Sequence, residues 1–177
     1  MTLPPDPASP ALLSVVGEVE QHVSERGWDQ RPVLFALVQT EQLLREEPQL
    51  ARTMGLVAGD PAALTPIEQD DLGEGPLDEL LGRVLFGQDV LGAVVTQEAV
   101  VVPPGAEAEL EDAEDPAAVA HAHPQRREVR AVVGVARDGR SAVVLRLRGE
   151  AGAPDDVVTG PDLAPGLIEV LRQTLEP

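Results

Sequence analysis

The chain has 177 residues, enough for one domain with a real core, and no cysteine, which excludes disulfides, thiolate metal ligands and a cysteine nucleophile. Its formal net charge is −18 and only 2% of its residues are aromatic. A broad nucleic-acid-binding surface is thereby excluded, because a polyanion is repelled and the stacking platforms are missing.

No window reaches the roughly 20 apolar residues of a membrane span, and no basic segment followed by an apolar run resembles a secretion leader. The expectation is a cytoplasmic protein without membrane or nucleic-acid contact. Its basic side chains are thirteen arginines and no lysine. That bias matches a GC-rich coding sequence.

Residues 1–10, with four prolines, read as a disordered tail, and 11–177 as a single domain. From Ala11 to Glu25, Leu12, Val15, Val16, Val19 and Val23 recur at helical spacing and Gly27 closes the helix. Val33–Val38 is a continuous apolar run, the pattern of a strand buried on both faces. Thr40 opens a helix that uses Leu43 and Leu44 and is broken at Pro48. Gly55 to Gly75 reads as loop, with one helical turn at Thr65-Pro66-Ile67-Glu68, where cap, N1 proline and N3 carboxylate form a capping box.

Pro76–Phe86 is an amphipathic helix. Gly92–Thr96 and Ala99–Val102 read as two strands separated by Gln97-Glu98. The acidic stretch Gly105–Asp115 is a surface loop, followed by a short helix Pro116–Ala122 capped by Asp115. A β-hairpin spans Glu128–Arg148. After it come a loop, Gly149–Pro161, and a last helix from Ala164 to Leu175, with Asp162 near its cap. The expected fold is α+β: a mainly antiparallel sheet of about five strands packed with helices.

The hairpin and the two residues before it carry seven of the thirteen arginines. A two-residue turn at Asp138-Gly139 pairs Arg137 with Arg140 and Ala131 with Arg146. Arg137, Arg140, Arg146 and Arg148 then share one face, where guanidiniums bind carboxylates or phosphates bidentately. The other face, with Val132, Val143, Leu145 and Leu147, is the core side. A three-residue bulged turn exchanges the faces for one strand.

Trp28, with Asp29 and Arg31, forms a second candidate binding surface, and packing over the core is the alternative role for the indole. His121 and His123 are weak candidates for metal ligands beside nearby carboxylates. No GxSxG, P-loop lysine, GxGxxG or HExxH motif occurs. No catalytic residue, metal or cofactor is expected, and the pattern points away from an enzyme.

Four segments resemble motifs of a family of short, acidic, uncharacterised actinobacterial proteins: Gly27-Trp28-Asp29-Gln30-Arg31-Pro32 running into Val33–Val38, Leu64–Leu72, His123–Arg130 and Thr159–Leu167. The family has no assigned activity, so the resemblance implies no functional residues. The element order is loosely similar to the small, acidic, peptide-binding chaperones of secretion systems. The expected function is therefore a non-enzymatic protein-binding module, adaptor-like or chaperone-like, forming a homodimer. One alternative is a module that binds small anions or phosphate ligands through the hairpin arginines. Another is a metal-assisted hydrolase built on the two histidines.

Overall fold

The computed structural model describes residues 10–177, so the N-terminal tail lies outside the described residues except Pro10, which opens the first helix. Among the described residues six strands form one antiparallel sheet in the order β2-β1-β3-β4-β5-β6. They are β1 (Val33–Gln39), β2 (Leu64–Glu68), β3 (Gly92–Val101), β4 (Arg127–Ala136), β5 (Ser141–Leu147) and β6 (Asp156–Gly160). The helices are α1 (Pro10–Ser24), α2 (Thr40–Glu46), α3 (Pro48–Thr53), α4 (Leu77–Leu81), α5 (Glu107–Glu111), α6 (Pro116–Ala122) and α7 (Pro165–Gln173). The α+β, single-sheet expectation holds, with six strands rather than five.

Both faces of the sheet are covered. On one, Leu12, Val15, Val16, Val19 and Val23 of α1 pack on Phe35, Leu37, Val94, Val132 and Val144. On the other, Leu77 and Leu81 of α4 and Ile168 and Leu171 of α7 pack on Leu34, Val95, Val133, Val135 and Val143. The central strands are thus apolar at consecutive positions, which explains why β1 reads as an unbroken apolar run. Gly134 lies directly under α1, where a Cβ would collide with Val16, so its missing side chain lets the helix approach the central strand.

Several local expectations change. Thr65-Pro66-Ile67-Glu68 is not a helical turn but most of β2, paired with β1 from Phe35↔Glu68 to Gln39↔Leu64. Thr40 N–H donates to the Ala63 carbonyl and Gln69 N–H to that of Leu34. By antiparallel alternation Pro66 then turns its nitrogen away from the sheet, where a missing N–H removes no ladder bond.

The two strands expected around Gln97-Glu98 are one strand, because β4 is long enough to pair with both residues, Gln97↔Ala131 and Glu98↔Arg130. Part of the Gly149–Pro161 loop is β6, paired with β5. The acidic stretch before α6 holds the short helix α5. Asp115 does cap α6, accepting from Ala118 N–H at 3.1 Å, whereas α7 is capped at Ala164 with no side-chain bond from Asp162.

The hairpin turn has three residues, not two. Ala136 N–H donates to the Arg140 carbonyl at 2.9 Å and Gly139 N–H to the Ala136 carbonyl at 3.0 Å. Gly139 takes the left-handed conformation at φ +91° that closes such a turn. The register becomes Val133↔Val143, Ala131↔Leu145 and Arg130↔Arg146. Each β5 side chain therefore lies on the face opposite to the one a two-residue turn dictates.

Candidate functional site

The register shift separates the four hairpin arginines. Alternation puts Arg130, Arg146 and Arg148 on the α1 face and Arg137 on the α4/α7 face. Arg137 is a structural clamp: it donates to the carbonyls of Val90 at 2.6 Å, Gly87 at 2.8 Å, Phe86 at 3.0 Å and Leu175. Arg140 stays at the turn, with its N–H on the Asp138 carboxylate at 3.0 Å. Arg31 is separate again, exposed and ion-paired with Asp71 at 3.3 Å and Glu74 at 2.8 Å.

What the fold gathers instead is a polar cluster just past the C-terminal end of α1. Glu98, Arg130 and Arg146 stand side by side across β3, β4 and β5. Arg130 is 1% exposed. Its Nη2 lies 2.7 Å and its Nε 3.2 Å from Glu98 Oε1, and Nη2 also donates to the Gly27 carbonyl. The Trp28 ring covers the guanidinium, with the Arg130 Cζ 4.6 Å from the ring centroid.

Glu98 in turn accepts from the backbone N–H groups of Asp29 at 2.8 Å and Gln30 at 3.2 Å. Asp29 contributes its backbone, held at φ 67°, rather than its carboxylate. Like charges on Arg130 and Arg146 face each other across the ladder, an arrangement that costs energy unless both are neutralised. Arg146 is neutralised by Glu20, the one buried carboxylate of α1, which accepts from its Nε and, at 3.1 Å, its Nη2. Asp155 sits 3.5 Å from Arg146 on the other side.

Hydrogen bonding to Glu20 raises the Arg146 pKa above its ordinary value. Asp155 is held below the usual carboxylate range, first by the Gly149 N–H at 2.7 Å and then by Arg146 and the Trp28 indole. A depressed carboxylate contributes stability above its unfolded pKa of about 4 and loses it as pH falls through the lower folded value. Asp155→Asn is therefore expected to flatten the stability profile below about pH 4, by about 1 kcal/mol. Urea midpoints at pH 7 and at successive lower pH values check it.

At the outer side of this cluster is an open pocket of about 290 Å³ at the ends of β4 and β5, lined by Arg126, Arg127, Glu128, Arg148 and Glu150. Its arginines are held far less tightly than Arg130. Arg148 pairs with Glu128 at 2.8 Å, both side chains about 40% exposed. Arg127 reaches Asp156 at 3.5 Å. Arg126 donates to the His123 carbonyl at 3.3 Å and has no carboxylate partner among the described residues. Arg148 also approaches Trp28, 5.5 Å from its ring centroid, so the indole spans the buried cluster and the pocket.

Trp28, Asp29, Arg146 and Arg148, which the sequence divided between two surfaces, thus meet in one cluster, while Arg31, Arg137 and Arg140 are elsewhere. Sequence reasoning missed Glu20, Glu98 and Arg130. Their signal was positional: Glu20 occupies the apolar stripe of α1, and Arg130 alternates with Val132 on the same face. A charge at a core position predicts a buried partner. His121 Nδ1 lies 2.7 Å from the Ala117 carbonyl, and His123 Nδ1 accepts from Gln125 N–H at 3.0 Å. Among the described residues no group of three metal-ligating side chains forms, and no helix is long and apolar enough to cross a membrane.

A family model described as PPA1309-like protein matches residues 12–176. No curated protein and no solved structure matches the chain.

Proposed function

We propose that the chain, which belongs to the PPA1309-like protein family, is a non-enzymatic cytoplasmic protein-binding module of actinobacterial type that recognises acidic segments of a partner protein. The observation that carries this reading is the pocket of Arg126, Arg127 and Arg148, a cluster of loosely held positive charge in a protein at −18. Exposed ion pairs contribute only about 0–1 kcal/mol, so an incoming carboxylate displaces Glu128 from Arg148 at little cost. Buried Arg130 and half-buried Arg146 are already satisfied by Glu98 and Glu20 and serve as the rigid floor. A surface of adaptable cations on fixed strands suits adaptor-like or chaperone-like recognition.

The second reading, a small-anion or phosphate-ligand module, draws on the same arginines and is separated by the same experiment. Trp28 is the single tryptophan, and its ring touches Arg148, so its emission reports on the pocket. Titration with hexaglutamate is expected to shift Trp28 emission saturably, with an affinity that falls as salt rises. Arg126→Ala/Arg148→Ala is expected to weaken that binding at least tenfold, or about 1.4 kcal/mol, without changing the melting temperature appreciably. A response to phosphate or pyrophosphate but not to hexaglutamate favours the small-anion reading. Silence toward all of them at millimolar concentration sinks both.

A further inference from the structure

The two edges of the sheet differ in a way that points to a second copy of this chain. Pro66 occupies the middle of edge strand β2 with its nitrogen outward, a residue that blocks strand addition. Edge strand β6 has no such device. From Val157 to Pro161 it is uncharged, in a chain with 31 acidic residues, and Val157 and Val158 are 48% and 46% exposed.

The direction of its backbone groups follows from the ladder. Ala136 bonds Arg140, so alternation turns Val143, Leu145 and Leu147 of β5 toward β6. Their partners Gly160, Val158 and Asp156 face β5. Val157 and Thr159 therefore direct their N–H and C=O groups outward.

We propose that β6 pairs antiparallel with β6 of a second copy about a two-fold axis at Val158. In that register Val157 and Thr159 of opposite copies exchange both ladder bonds, on each side of the axis. Val158 meets its own symmetry mate at a non-hydrogen-bonded pair, where side chains are closest. Each Asp156 stands opposite Gly160, so no like charges oppose each other along the strand. Pro161, which has no N–H, ends the ladder just beyond. The pairing is independent of the acidic-partner reading, since it uses neither Arg126 nor Arg148.

The absence of cysteine makes a direct test available. Val158→Cys places two sulfurs across a pair with Cα atoms about 4.5 Å apart, within disulfide range. Under mild oxidation in 1 M NaCl, where the screening length is about 3 Å, it is expected to cross-link at least about tenfold faster than Val57→Cys, a more exposed position off the interface. The unmodified chain is expected to sediment as a dimer at about 300 μM, a concentration suited to a small interface. Thr159→Pro, which removes only an outward N–H, is expected to be monomeric with an unchanged melting temperature. A Val158→Cys rate equal to that of Val57→Cys, or a monomeric unmodified chain, overturns the proposal. A folded Thr159→Pro variant that still dimerises also overturns it, by assigning the contact to another surface.

Discussion

Replacing Arg130 with methionine is expected to lower the unfolding free energy by about 3–5 kcal/mol, because it leaves the half-buried Glu98 carboxylate without its cation and the Gly27 carbonyl without its donor. Methionine matches the length of the arginine stem, so the loss reports the charge and its hydrogen bonds rather than a cavity. Glu98 keeps two backbone N–H donors, from Asp29 and Gln30, but these do not cancel a full charge. Lysine at this position is expected to recover only part of the loss. An ammonium cannot donate in a fork to Glu98 and Gly27 while lying flat against Trp28. Urea unfolding followed by Trp28 emission measures both variants, since the only indole sits on the guanidinium. A second substitution, Glu98→Gln, is expected to restore about 1–3 kcal/mol to the methionine variant through the coupling of the pair. Equal losses in the single and double variants contradict this picture of the cluster.

The second large effect is expected at Arg137. Its guanidinium ties together the segment before β3, through Phe86, Gly87 and Val90, and the end of α7, through Leu175. Arg137→Met leaves these carbonyls to find water in a half-buried location, at an expected loss of about 2–3 kcal/mol. Arg31→Ala, which breaks only exposed ion pairs with Asp71 and Glu74, is expected to change stability by less than about 0.5 kcal/mol. The contrast is checked by thermal unfolding of the two variants side by side. It also separates two arginines that the sequence alone placed in one class, as candidates for recognition.

That misplacement shows how the sequence was legible and where it was not. Apolar periodicity located α1, β1, α7 and the hairpin strands, because each buries whole turns or runs of aliphatic side chains. It failed at edges. β6 offers only two valines, both half exposed, and nothing in that pattern exceeds what a loop contains. At β2 the local chemistry of Thr65, Pro66 and Glu68 suited a helix start, and pairing with β1 overrode it. The polar pair Gln97-Glu98 looked like an interruption, yet the Glu98 carboxylate is the half-buried partner of buried Arg130. The turn was the most consequential error. Asp138-Gly139 fits a two-residue or a three-residue loop, and the one-residue difference decides which arginines share a face. Of the candidate site, Trp28, Asp29, Arg146 and Arg148 were readable. The carboxylates that hold the arginines were hidden among 31 others.

The proline in β2 sets a ceiling on stoichiometry. A sheet with two receptive edges adds copies without limit and forms fibres, because head-to-tail contacts never close. Here one edge is receptive and the other has an outward position with no donor at Pro66. In the proposed assembly, two copies joined at β6 would expose only their β2 strands at the far ends of the joint sheet, and growth would halt at the pair. In that proposed pairing, a single ring nitrogen without a hydrogen would separate a finite pair from an open-ended polymer.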